Sequence, residues 1–386
     1  MEELDGLLAE PLDAVVERER TAFDRLLATC DGQLVLFGAG SFGRKALQSL
    51  RGGGIEPLAF SDNGESKWGT EVDGIPVLSP SDAANRYGTS TLFVVTIWSK
   101  GHFYPDTQSQ LRQLGCRHIE PASTLRWKFA SQLLPDFWQD LPHKLYEEAS
   151  HVRAAASLWS DHYSRDEYLR QVRLRTHGDF TRLCAPLPDQ YFPQDILRLS
   201  SNEVFVDCGA FDGDTLLEFV RHQGSCKQMV AIEADPENYR RLCARASSLN
   251  GVRGRITTYN VAVGKTSGTV RFRSTGGEGA CVANDGETVI PQAALDDLLP
   301  DLAPTYIKMD IEGAEMEALA GAQRLIRQYR PMLAVCLYHK PWDLWSIPLF
   351  IRSLQPDYRL FLRPHAEDGW DCVCYAVPPE RAEGAA

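Results

Sequence analysis

From residue 33 onward the chain alternates short apolar runs with amphipathic stretches, the pattern of strands separated by helices. Residues 8–30 carry apolar positions at helical spacing and predict one long amphipathic helix. Gln33-Leu34-Val35-Leu36-Phe37 then predicts a strand, followed by a Gly-rich turn at 38–43 and a helix through Leu50. Further strands are predicted at 55–60, ending at Asp62, and at 91–97. Strand and helix in alternation mean a parallel sheet with crossover connections, here closing near Pro121. Residues 122–200 read differently. The stretches 149–159 and 165–175 have helical spacing and few strand formers, and Pro186, Pro188 and Pro193 then interrupt the chain. They predict a helical connector.

A second series begins at Val204. Its predicted strands are 204–208, 229–233, 256–263, 269–273, 305–310, 332–337, 358–362 and 372–377, with helices at 315–329 and 345–354 among them. The expected architecture is therefore α/β in two parts. A smaller Rossmann-like domain with a leading helix spans 1–121, the helical connector 122–200, and a doubly wound sheet 201–379. A disordered tail is expected at 380–386.

A chain of 386 residues has room for two cores of ordinary size. The formal net charge is -12, with the acids scattered. A nucleic-acid binder would show a basic stripe, so none is expected as a partner. The ten cysteines include no C-x-x-C pair and no zinc spacing, and several sit in apolar runs such as Val335-Cys336-Leu337. They read as buried free thiols in a reducing compartment. No apolar run reaches ~18 residues, and the acidic N-terminus lacks a signal-peptide core, so a cytoplasmic protein without a membrane span is expected.

Two Gly-rich turns follow predicted strands, and their chemistry differs. The first, Gly38-Ala39-Gly40-Ser41-Phe42-Gly43, is G-x-G-x-x-G with Asp62 at the end of the next strand. That is a dinucleotide fingerprint in its proper context, followed by Arg44 and Lys45, and it suits a nucleotide or nucleotide-sugar. The second is Asp207-Cys208-Gly209-Ala210-Phe211-Asp212-Gly213-Asp214. A pyrophosphate against Asp212 and Asp214 meets like charge. At ~4 Å and a surface-like dielectric, one such contact costs on the order of 4 kcal/mol. The turn suits a cationic nucleoside without phosphates, such as S-adenosylmethionine. Glu233, ending the next strand, can accept the ribose hydroxyls.

These residues carry a resemblance. Asp189-Gln190-Tyr191-Phe192, the 205–214 turn, Ile232-Glu233-Ala234-Asp235-Pro236, Asn260-Val261-Ala262-Val263-Gly264 and Lys308-Met309-Asp310-Ile311-Glu312-Gly313-Ala314-Glu315 resemble the FkbM-type methyltransferases over 189–377. The resemblance implies class I methyltransferase topology, seven strands with the last antiparallel, and O-methylation of hydroxyls on sugars, glycans or related small molecules. It implies that Asp207, Gly209, Ala210, Gly213 and Asp214 line the methionine part of S-adenosylmethionine. Glu233 would bind the ribose with Ala234 next to it, Asn260, Val261 and Ala262 would lie beside the adenine, and Asp310 would sit at the methyl-transfer end, while Tyr191, just before the methyltransferase core, could close over the cofactor. Residues 32–118 resemble the Rossmann-like domain of some sugar-modifying proteins, through Asp62-Asn63, Trp68-Gly69 and Gly74-Ile75-Pro76-Val77.

A sugar hydroxyl gains from a positioned base. Asp310, Glu312 and His339, all expected at strand ends, are the catalytic candidates. Glu312 and Glu315 also open a predicted helix, where acids often only complement its dipole. Asp310 with Glu312 could hold Mg²⁺, but the sequence offers no third ligand and no metal is expected. Tyr338, Trp342 and Trp345 could stack on a sugar or simply fill core. Two other readings remain open: an NAD-dependent oxidoreductase or nucleotide-sugar binder working through the first turn, and a non-catalytic recruitment module. No Tyr-x-x-x-Lys pair follows the first turn, which counts against the oxidoreductase. A homodimer is among the assemblies the sequence allows.

Overall fold

The computed structural model describes residues 1–249, 254–277 and 279–382. They form two compact units. The first contains Met1–Arg153, Tyr168–Pro186 and Ala366–Trp370, and the second contains Ala154–Glu167, Leu187–His365 and the chain from Asp371. The segment read as a connector is thus shared between both. Among the described residues no helix is long and apolar enough to cross a membrane.

In the first unit, strands β1 (Leu34–Phe37), β2 (Ala59–Ser61), β3 (Glu71–Val72), β4 (Ile75–Leu78), β5 (Leu92–Val95) and β6 (His118–Pro121) make one sheet in the order β3-β4-β2-β1-β5-β6. All pairs are parallel except β3 with β4. β1 and β5 lie inside the sheet, with a strand on each side, and are buried along their whole length, which is why they read as unbroken apolar runs. The leading helix is two, Glu2–Leu7 and Leu12–Ala28. Pro11 divides them, because its ring disfavours helical geometry in the residue before it. The predicted strand 55–60 shrinks to β2 because Pro57 cannot join a central ladder. The β3–β4 hairpin turns at Asp73-Gly74, a turn dipeptide the periodicity did not reveal.

In the second unit, β7 (Val204–Cys208), β8 (Gln228–Ile232), β9 (Arg255–Tyr259), β14 (Tyr306–Met309), β15 (Met332–Cys336), β16 (Arg359–Pro364) and β17 (Cys372–Val377) form a seven-stranded sheet. Its order is β16-β17-β15-β14-β7-β8-β9, and only β17 runs antiparallel to its neighbours. This is the doubly wound class I methyltransferase topology that the resemblance implies. Strands β10 (Ala262–Val263), β11 (Gly268–Arg273), β12 (Cys281–Val282) and β13 (Thr288–Ala293) form a separate small sheet.

The predicted strand 256–263 therefore splits between two sheets. Asn260 makes the break, its amide donating to the carbonyls of Glu233 and Ala234. The predicted helix 315–329 also splits, into Glu315–Ala320 and Gln323–Tyr329. Asp296 sets that break from outside: its N–H bonds the Gly321 carbonyl and its carboxylate accepts the N–H groups of Arg324 and Leu325. Residues 380–382, read as tail, are held. Pro379–Arg381 form a 3₁₀ turn and the Arg381 guanidinium pairs with buried Glu203 at 2.5 Å. Residues 383–386 lie outside the described residues.

The first Gly-rich turn yields a direct test of packing. A Cβ on Gly43 would sit 2.0 Å from the Gly38 carbonyl oxygen, whereas one on Gly40 meets nothing within 4 Å. Gly43→Ala is expected to destabilise the protein by about 2 kcal/mol or more, and Gly40→Ala by less than about 1 kcal/mol. Urea unfolding of both variants checks this, and equal losses would contradict the packing.

Candidate active site

Open α/β sheets bind ligands where the chain leaves neighbouring strands in opposite directions. In the second unit that point lies between β7 and β14. Gly209 follows β7 with φ +80°, and a Cβ there would fall 1.8 Å from the Asp310 carbonyl oxygen. Only glycine fits. The Gly209 and Ala210 N–H groups both donate to the Ile232 carbonyl, fixing the turn to the end of β8. Gly213, with φ +89°, then opens the helix Asp214–Gln223.

Beneath this turn lies a buried ion pair. Lys308 on β14 stands beside Asp207 on β7 in register, with Nζ 3.0 Å from Oδ1. Both side chains are sealed from solvent, at 2% and 0% exposure. Lys308 also donates to the Gly209 carbonyl at 2.7 Å and lies 5.0 Å from the centre of the Tyr191 ring. Burial pushes the Asp207 carboxyl up to about 6. Burial opposes charge on Lys308, but Asp207 and Asp310 outweigh it and raise its ammonium. Sequence reasoning missed Lys308, although a lone lysine within the apolar run Tyr306-Ile307-Lys308-Met309 was a visible signal. Asp207 thus lies under the turn, not on its open side.

The turn's charge also differs from a simple count of aspartates. Asp207 is met by Lys308, and Asp212 by Arg245 at 2.7 Å. Of the three, Asp214 alone is exposed, with Oδ1 accepting the Thr215 N–H. Repulsion of a polyphosphate is correspondingly weaker than the sequence argument assumed. The two cations that pair with these aspartates are not free for a phosphate, since Lys308 is buried and Arg245 is engaged. Asp212 Oδ1 is buried without a hydrogen-bond partner.

Glu233 ends β8 and is 7% exposed. Oε2 accepts the Phe211 N–H at 2.9 Å and Oε1 the Asp235 N–H at 2.8 Å, so each oxygen keeps acceptor capacity. Burial pushes its carboxyl up to about 7. Ala234 packs against the core of the small sheet, to which Ala262 belongs. Asn260 is exposed, while Val261 and Ala262 are buried.

Beyond β14 and β15 the three catalytic candidates come together. Tyr191 donates to Asp310 Oδ2 at 2.7 Å and Tyr338 to Oδ1 at 3.2 Å. His339 Nε2 lies 3.4 Å from Asp310 Oδ1 and 3.7 Å from Glu312 Oε1. Its Nδ1 lies 2.8 Å from Glu315 Oε1. Burial alone would lower the His339 ring, but Glu315, Asp310 and Glu312 outweigh it and push it up to about 10. Glu315 is 1% exposed and accepts the Ile311 N–H as well, so it fixes the loop and the imidazole rather than facing a ligand. Of the aromatic candidates, Tyr338 and Trp345 are buried, and only Trp342 is exposed.

The first unit repeats part of this design. Asp62, at the end of β2, accepts the Ala39 N–H of the Gly38–Gly43 turn, the Gly64 N–H and the Lys67 ammonium, each at 2.8 Å. Burial raises its carboxyl, but these three donors outweigh burial and leave it below the usual range. Glu233 has two donors on two oxygens, so Asp62 has less capacity left for a ribose.

The buried pair predicts a stability signature. Asp207→Ala strands the Lys308 ammonium and is expected to cost about 3–5 kcal/mol. The double variant Asp207→Ala/Lys308→Met should recover part of that loss, giving a coupling above about 1 kcal/mol in a denaturation cycle. Additive losses would show that the pair is not coupled.

Comparison with known proteins agrees with this geometry. Residues 207–365 match the family model described as the methyltransferase FkbM domain. In structure the chain is similar to methyltransferase FkbM from Methylobacillus flagellatus KT, with TM-score 0.76 and 24% identity over 97% of each chain. That likeness shows the fold. A precorrin-6y C5,15-methyltransferase from Geobacter metallireducens GS-15 is more distant, with TM-score 0.31 and 13% identity over 47% of this chain and 83% of that one. No curated protein matches the chain. The span that holds the Gly209 turn, Glu233 and the Asp310 cluster belongs to the FkbM methyltransferase family.

Proposed function

We propose that the chain methylates a hydroxyl of a sugar, glycan or related small molecule, with S-adenosylmethionine as donor. The observation that carries this reading is Glu233. It is a nearly buried carboxylate beside the Gly209 turn, with an acceptor position left on each oxygen for the two ribose hydroxyls. The buried Asp212 Oδ1, which has no hydrogen-bond partner, and the exposed Asp214 on the same turn fit a cationic group. When bound, S-adenosylmethionine supplies a methyl group activated by its sulfonium.

The chain's residues then orient and exclude water. Gly209, Ala210 and Gly213 let the backbone approach the methionine part. Asn260, Val261 and Ala262 flank the adenine. Tyr191 holds Asp310 toward the methyl-transfer end through its 2.7 Å hydrogen bond. The acceptor hydroxyl would enter beside Asp310, Glu312 and His339, and a carboxylate of this cluster would take its proton as the hydroxyl oxygen displaces the donor's sulfur from the methyl carbon. Trp342, exposed three residues after His339 in the chain, offers an apolar face to a sugar ring.

Titration of the protein with S-adenosylmethionine and, separately, with NAD(H) tests the reading. Micromolar affinity is expected for the first. Glu233→Ala should weaken it at least tenfold, about 1.4 kcal/mol. Unchanged affinity in that variant, or binding of NAD(H) alone, would reject the assignment.

The same residue predicts a pH dependence. A carboxyl raised to about 7 is neutral below that pH and ionised above it. If only the ionised form accepts both hydroxyls, affinity should rise roughly tenfold between pH 6 and pH 8. Calorimetry at both values checks the slope, which Glu233→Gln should flatten.

A further inference from the structure

We propose that Asp310, Glu312 and His339 form a site for one divalent transition-metal ion. One ligand atom from each lies within 4.8 Å of the others. The His339 Nε2 separations of 3.4 Å to Asp310 and 3.7 Å to Glu312 are slightly wider than adjacent corners of an octahedron, which for bonds of about 2.1 Å stand roughly 3 Å apart. A small inward movement closes them onto an ion. Glu312 can make it, because its side chain keeps 24% exposure.

The orientation of the imidazole is the independent observation. Glu315 Oε1 sits 2.8 Å from Nδ1, and an ionised carboxylate only accepts hydrogen bonds. A proton on Nδ1 is the one this carboxylate favours, which leaves Nε2, the nitrogen nearer Asp310 and Glu312, to give up its proton when an ion binds. A carboxylate behind one imidazole nitrogen and a metal on the other is a recurrent second-shell arrangement. Asp310 is oriented too, through Tyr191 and Tyr338. Sequence spacing showed two carboxylates and no third ligand, and the fold supplies that ligand from the end of β15.

Two carboxylates and one imidazole make a donor set of intermediate hardness. Imidazole favours transition ions, and carboxylates suit Mn²⁺ as well as Mg²⁺ and Ca²⁺, so Mn²⁺ should bind ahead of the latter two. Three protein ligands on one side of an octahedral ion leave three positions for water or for an oxygen of the acceptor. Only this last role rests on the methyl-transfer reading.

The test uses the full chain after chelator treatment. Mn²⁺ is titrated while its free electron paramagnetic resonance signal is followed, with Mg²⁺ as competitor. One Mn²⁺ per chain is expected, with affinity at least tenfold above that for Mg²⁺. Glu312→Gln and His339→Gln should each lose at least tenfold. Because His339 is buried, circular dichroism confirms that its variant folds, and partly exposed Glu312 gives the safer readout. No stoichiometric Mn²⁺ uptake, or equal uptake by wild type and Glu312→Gln, overturns the site. S-adenosylmethionine titration without metal separates the claims: donor binding without Mn²⁺ uptake rejects only the metal site, and Mn²⁺ uptake without donor binding rejects only the methyl-transfer reading.

Discussion

A lysine ammonium sealed under a glycine turn is the constraint on which the second unit's site depends. Lys308 and Asp207 are register partners on the two strands that flank the switch point. Burying two charges costs several kcal/mol each, and that cost is offset only by close pairing and added hydrogen bonds. Lys308 gains one such bond from the Gly209 carbonyl and lies against the Tyr191 ring. One side chain thereby ties together β7, β14, the turn and the segment carrying Tyr191. The arrangement places Gly209 so close to the Asp310 carbonyl that no side chain fits at position 209.

Both units use an acid at the end of the second strand to hold the turn after the first. Asp62 accepts the Ala39 N–H, and Glu233 accepts the Phe211 N–H. The environments separate the two acids. Lys67 and two N–H groups keep Asp62 ionised, with most of its capacity used. At Glu233 burial outweighs the two N–H donors and the charge of Lys308. The same topological position is therefore mostly structural in one unit and left with capacity for a ligand in the other.

The loop after β14 concentrates charge in a small volume. Glu312 adopts φ +54° and Gly313 φ +93°, and Glu315 accepts N–H groups from Ile311 and Gly313. This folding turns Asp310 and Glu312 toward His339, which arrives from β15. Three carboxylates around one imidazole need a positive charge among them. The imidazole proton supplies it in the protein alone, and a bound cation can take that place.

The alternation of strand and helix, the two Gly-rich turns and the acids at the ends of the second strands were legible in the sequence, whereas the strands β3, β4, β6, β12 and β13 were not. Period-2 runs and turn residues act locally, and central strands buried on both faces announce themselves as apolar runs. Only tertiary structure decided which charges survive as charges. Asp207 and Asp212 read as two more carboxylates on the turn, until Lys308 and Arg245, 101 and 33 residues away in sequence, are brought against them. It also decided that 256–263 belongs to two sheets, because the Asn260 amide bonds carbonyls 26 and 27 residues earlier. Periodicity reports which face of an element is buried. Which partner waits on that face depends on contacts between distant segments, and the electrostatics of the site follow from those contacts.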